Sequence, residues 1–300
     1  MSDLRANRRG ILALVAGMAT FTVNDALVKF VARSYPFGEV IFVRGVMAVV
    51  LVGAILFGRG QVRKIENGIG GPLLWRSVFE AFASSLFIAA LVHMRIADLS
   101  AVVLVSPLIL TAMSVVFYRE RVGIRRWAAI VVGFIGTLFV IKPTPSAFDA
   151  WALVGLAAAF ASASRDLITK RIDPSIPTLL ISFMGSIAVT LTGLALGVTE
   201  QWLAMGPQEL SLLAVAAFFL GIGTYLLVLA FRDVDISAVA PFRYILLLWA
   251  AIAGYVAFGE VPDAWAVGGA GLIVASGLYA MHRDAVRRGA ALSSTHPESL

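Results

Sequence analysis

"NDALVKFVARSYP", residues 24–36, is echoed by "RDLITKRIDPSIP" at 165–177. Both stretches follow an apolar run. Both place an acid, a lysine four residues on and a proline eleven residues after the acid, at an offset of 141. Two further echoes keep nearly the same spacing. "RIADLSAVV" (95–103) returns as "RDVDISAVA" (232–240) at an offset of 137, and Trp127 and Gly133 return as Trp265 and Gly271 at 138. Charged residues shared at shared spacing, three times in the same order, mark an internal duplication.

What is duplicated is membrane-like. Of 300 residues, 60% are apolar and only 14% charged, with a mean hydropathy of +0.91, well outside the usual composition of a soluble domain. Apolar runs of about 20 residues recur with short polar breaks, the length that crosses a bilayer. The expected helices cover about 11–32, 36–57, 73–93, 98–118, 125–142, 149–170, 177–197, 210–231, 236–257 and 264–282. The expected organisation is a cytoplasmic N-terminus (1–10), a first repeat (11–142), a loop (143–148), a second repeat (149–282) and a disordered cytoplasmic tail (283–300). Each half holds an odd number of helices, so the second enters the membrane reversed. The expected fold is all-α, with ten transmembrane helices in two inverted five-helix repeats around a central cavity, a construction that secondary transporters use to open one site to either side.

Orientation follows from the basic residues. With the N-terminus inside, sixteen fall in cytoplasmic segments (Arg5, Arg8, Arg9, Arg59, Arg63, Lys64, Arg119, Arg121, Arg125, Arg126, Lys170, Arg171, Arg232, Arg283, Arg287 and Arg288). The other face holds four, Lys29, Arg33, Arg95 and Lys142. The positive-inside rule therefore places both termini in the cytoplasm of a multi-pass protein of the bacterial inner membrane. The net charge of +6 comes from this bias and is no sign of nucleic-acid binding. The apolar run after Arg9 is about twice the length of a signal-peptide core and lacks an A-x-A site, so it reads as the first span.

Several chemistries find no residues here. Cysteine is absent, which removes disulfides, thiolate metal sites and thiol nucleophiles. Three histidines, His93, His282 and His296, make no metal-binding pattern, and neither a phosphate-binding loop nor H-E-x-x-H is present. No catalytic residue, metal or cofactor is expected, and the loops are too short to house an ATP-hydrolysing domain.

The chain resembles the drug/metabolite transporter superfamily, and within it the EamA-type ten-helix bacterial transporters. "NDALVKFVARSYP" (24–36), "IADLSAVVLVSPLILTAMSVVFYRERVGIRRWAAIVVGFIGTLFVI" (96–141), "VDISAVAPFRY" (234–244) and "FGEVPDAWAVGGAGLIVASGLY" (258–279) carry the resemblance, which runs over 8–283. It implies a basket-like bundle with a cavity between the repeats, a small-molecule substrate and no catalytic chemistry. The first-helix form is similar to that of carriers for riboflavin and S-adenosylmethionine, implying a heteroaromatic substrate; amino-acid or drug export fits the superfamily equally. An enzyme embedded in the membrane, or a channel, is the distant alternative.

Charges inside the spans are the first site candidates, because the bilayer penalises them. Asp25 and Lys29 lie four apart on one helix face, so they can pair, with Lys29 snorkelling to the headgroups. Asp166 and Lys170 repeat the arrangement on the other face. These four, with the i,i+4 pair Arg76 and Glu80, are expected in coupling or gating; a carboxylate between helices could also carry a proton. Arg44 and Arg243 have no partner nearby in sequence and are the expected binders of a substrate carboxylate or phosphate, which a guanidinium fork matches.

Trp75 and Phe79 on the third helix, and Tyr225, Tyr244 and Trp249 on the eighth and ninth, could wall a cavity for a planar ligand or form a lipid-facing belt. Pro107 and Pro241 are expected inside the fourth and ninth helices, kinking them beside the cavity and letting them bend during transport, a gating role. Gly133, Gly136, Gly268, Gly269 and Gly271 permit close packing, either within the bundle or in a homodimer in contact with membrane lipids.

Overall fold

The computed structural model describes residues 2–60, 70–118, 124–141, 150–169, 171–173, 175–230, 242 and 244–294. Its described residues form helices: α1 (Ser2–Ala32), α2 (Phe37–Gly58), α3 (Gly71–His93), α4 (Ile96–Val103), α5 (Ser106–Tyr118), α6 (Ile124–Ile141), α7 (Ala150–Thr169), α8 (Thr178–Gly197), α9 (Pro207–Ala230), α10 (Ile245–Phe258) and α11 (Ala264–Ser294). Among the described residues, seven segments are long and apolar enough to cross a membrane, with α4 and α5 counted as one. The shorter apolar helices Ile130–Val140, Ile245–Phe258 and Ala264–Tyr279 take the fifth, ninth and tenth places. The protein is a multi-pass helical membrane protein.

Two ends differ from expectation. α1 begins at Ser2 instead of about 11, and α11 runs to Ser294, through the tail expected to be disordered from 283. The sequence "RDAVRRGAAL" (283–292) is rich in alanine and arginine, good helix formers, so the backbone continues past the apolar stretch. The fourth span also differs. Pro107 does not kink a continuous helix: the span divides at Leu104 and Val105, and Pro107 is the second residue of α5. There its missing N–H costs nothing, because first-turn N–H groups have no intrahelical acceptor.

The packing repeats the duplication. α1 lies on α9 as α7 lies on α3, α2 packs on α9 as α8 packs on α3, and α1 meets α10 as α7 meets α4 and α5. The pairs α2 with α8 and α6 with α11 are their own mates. Each of these packings thus has a counterpart when the two halves are exchanged, as a two-fold relation between repeats requires.

Lipid tails are as apolar as leucine, so helices gain little by merely burying apolar surface and rely on close fit. The two self-mated pairs show it. A Cβ on Gly193 of α8 would stand 2.6 Å from the Phe42 nitrogen of α2. One on Gly136 of α6 would stand 2.8 Å from the Gly269 carbonyl of α11. Only glycine allows backbones so near.

Candidate functional site

Among the described residues, charged side chains from different elements are linked in three main clusters. The first joins α1 to α2, where Arg44 Nη1 donates to Asn24 Oδ1 at 3.3 Å and Asn24 Nδ2 donates to Asp25 Oδ1 at 2.9 Å. Arg44 is only 6% exposed, and its Nε has no hydrogen-bond partner among the described residues. A guanidinium has five N–H donors, and a buried cation with donors unused is costly unless something anionic or hydrated meets it. Gly45, the next residue, lies against Thr190 of α8, so this part of α2 is held tightly.

The second gathers on α3 and α7. Glu80 receives Arg76 Nη2 at 3.0 Å and Arg165 Nη1 at 3.3 Å, while Arg165 Nε donates to Asp166 Oδ1 at 2.8 Å. Two cations and two anions make a neutral set, half-buried throughout. Gly185 of α8 leaves the room for it, since a Cβ there would stand 3.1 Å from Arg76 Nη1.

The third closes the end where α1 finishes. Lys29 Nζ donates to Glu260 Oε1 at 2.5 Å and to the Met94 carbonyl. This corrects two expectations: Lys29 does not pair with Asp25, and it does not snorkel, being 2% exposed. The i,i+4 spacing permitted the pair, but Asp25 meets Asn24 and faces Arg44, while Glu260 arrives from a distant turn. Beside it, Arg95 donates to Asp98 at 2.5 Å, to the Val261 carbonyl at 2.7 Å and to Asp263 at 3.2 Å. Partial burial works against the Arg95 charge, but the Asp98 and Asp263 carboxylates outweigh it and hold the guanidinium above its usual pKa.

The aromatic candidates divide. Trp75 and Tyr225 are 62% and 60% exposed on α3 and α9. Trp249 Nε1 donates to the Val15 carbonyl at 3.1 Å, and its ring packs with Leu14, so it joins α10 to α1. Tyr244 packs against Gly277 and the core around α4, and Phe79 is half-buried. Arg243, Pro241 and Lys170 lie outside the described residues.

Sequence reading missed Asn24, Glu260 and a further acidic pair. Glu200, in the α8–α9 loop, accepts from the Gly38 N–H at 2.8 Å at the start of α2, and Glu39 accepts from the Leu203 N–H at 3.0 Å. Each carboxylate meets backbone N–H groups at a helix start or turn, a pairing that carries no mark in sequence spacing.

A model of the EamA-like transporter family matches residues 8–142 and, separately, 149–281. The chain belongs to this family. It is 27% identical over 290 residues to the S-adenosylmethionine uptake transporter of Rickettsia prowazekii, covering 95% of this chain and 96% of that one. It is 28% identical over 268 residues to the pseudopaline exporter CntI of Pseudomonas aeruginosa, covering 89% and 94%. With the riboflavin transporter of Vibrio cholerae it shares 27% over 267 residues, covering 88% and 89%. A crystal structure 17% identical in sequence has the same fold, with a TM-score of 0.62 over 92% of this chain and 95% of the other.

Proposed function

We propose that this EamA-like protein is a secondary transporter of a small organic metabolite, with no catalytic activity, in the bacterial cytoplasmic membrane. Both termini lie in the cytoplasm, as the basic residues direct. The two repeats, 11–142 and 149–282, are inverted and enclose a central cavity that opens to each side in turn. The observation that carries the reading is Arg44, a buried guanidinium whose Nε has no hydrogen-bond partner among the described residues, on α2, the helix that packs directly on its own counterpart α8. There it can grip an anionic group of the cargo near the axis between the repeats. Asp25, linked to Arg44 through Asn24, is the acid placed to respond to that binding and to couple it to proton movement.

A heteroaromatic cargo is favoured, because S-adenosylmethionine and riboflavin, carried by two relatives, both contain fused nitrogen heterocycles. Phe79, Tyr244 and Trp249, half-buried among the described residues, are the aromatic candidates to wall such a ring, and Arg243, next to Tyr244 in sequence, offers a second guanidinium. Amino-acid or drug export is the alternative. Homodimers would form through the outer face of α11, where Gly268 and Gly271 leave open space.

Thermal-shift measurements on the purified protein test the reading. S-adenosylmethionine or riboflavin should stabilise the folded state by mass action, and the shift should vanish in Arg44→Ala. A shift of equal size in that variant refutes the Arg44 site.

A further inference from the structure

We propose that Glu260 and Lys29 form a latch that shuts the end of the bundle where α1 finishes, and that this latch must part for cargo to pass. The proposal rests on the transporter reading above.

The latch is built by a turn. Gly259, at φ +66°, ends α10 in the left-handed conformation, with its N–H bonded to the Tyr255 carbonyl and the Glu260 N–H bonded to Gly254. This swings Glu260 back over the helix end. Gly254 makes room, since a Cβ there would stand 3.0 Å from Glu260 Oε2. The carboxylate then ties three separate stretches together. Oε1 takes Lys29 from α1, Oε2 accepts the Ile96 N–H at 2.9 Å at the start of α4, and the Glu260 backbone belongs to the α10–α11 turn. Lys29 closes the ring through the Met94 carbonyl, before α4. The Phe258 ring covers the cations, 5.2 Å from Lys29 Nζ and 4.4 Å from the Arg33 guanidinium.

A buried ion pair is a poor choice if the only task is to hold helices together, because apolar residues of similar size often do as well or better. It suits a joint that opens. When the mouth parts and water enters, both charges regain hydration, so the closed and open states differ little in free energy. At the same end, α2 and the α8–α9 loop are joined differently: Glu200 and Glu39 bond backbone N–H groups, beside the close contact of Gly193 with Phe42. That side is the fixed one, and α1, α4 and α10 are the moving side.

The chain's lack of cysteine makes the test direct. Leu99, fully buried one turn into α4 behind Ile96, is replaced by cysteine, and its alkylation by a membrane-impermeant maleimide is followed in liposomes by intact mass. Opening controls access to a buried group, so adding Glu260→Gln should speed alkylation about tenfold. Arg59→Ala, removing an exposed cation at the far end of α2 from the latch, should leave the rate unchanged. Equal rates with and without Glu260→Gln overturn the latch. If that variant does not purify as folded protein, Glu260→Asp, which keeps the charge but cannot reach both partners, should raise the rate about twofold, and an unchanged rate again overturns it. No cargo is needed, so the latch can fail while counterflow is observed, and the transporter reading can fail while the latch holds.

Discussion

Lys29 and Glu260 lie 231 residues apart and meet at 2.5 Å, with the lysine almost wholly removed from solvent. The two are not equally dependent on each other. Without Lys29, Glu260 keeps the Ile96 N–H and has Arg33 near; without Glu260, Lys29 keeps only the Met94 carbonyl among these partners. Leaving a buried charge unpaired costs about 3 kcal/mol or more. Glu260→Ala should therefore destabilise the protein by about that amount and by more than Lys29→Met, as measured by reversible denaturation in mixed micelles.

Arg44 carries a different expectation. Its Nε has no hydrogen-bond partner among the described residues, but replacing it by leucine also removes the cation linked through Asn24 to Asp25. Stability should therefore fall by about 1–3 kcal/mol, and the ligand-induced thermal shift should be lost. Arg44→Lys should also weaken the shift, because a point charge does not reproduce the planar fork. Melting curves with and without S-adenosylmethionine or riboflavin check both.

Gly193→Ala should cost about 1–3 kcal/mol, since the added Cβ would stand 2.6 Å from backbone of α2 and must push the helices apart. Gly268→Ala, at a site where a Cβ meets nothing within 4 Å, should change stability by less than about 0.5 kcal/mol. Comparing the two melting temperatures separates close packing from mere helix propensity.

The orientation predicts opposite labelling of two exposed serines. In otherwise cysteine-free protein, Ser34→Cys after α1 should react with an impermeant maleimide in intact spheroplasts, and Ser175→Cys before α8 only after permeabilisation. The reverse pattern would invert the proposed topology.

Much of this architecture was legible because it is local or periodic. Apolar runs mark spans, the echo of Asp25 and Lys29 in Asp166 and Lys170 marks the repeat, and Arg76 with Glu80 shows its pairing in its i,i+4 spacing. What stayed hidden depends on which distant groups the fold brings together. The spacing of Asp25 and Lys29 suggested a pair that Glu260 prevents. Glu260 sits in a turn, "FGEVPD", whose geometry is set by Gly259, and nothing in that stretch points to α1. Pro107 was legible as a breaker but not as the start of a second helical segment, because a proline fits equally a kink and a first turn.

Counterflow in proteoliposomes tests the central claim most directly. Vesicles holding the protein are loaded with unlabelled S-adenosylmethionine or riboflavin and diluted into the labelled compound, without ATP. The account predicts saturable uptake of label against its gradient for at least one of the two, lost in Arg44→Ala. Flux that is non-saturable, that requires ATP, or that is undiminished in Arg44→Ala would contradict it.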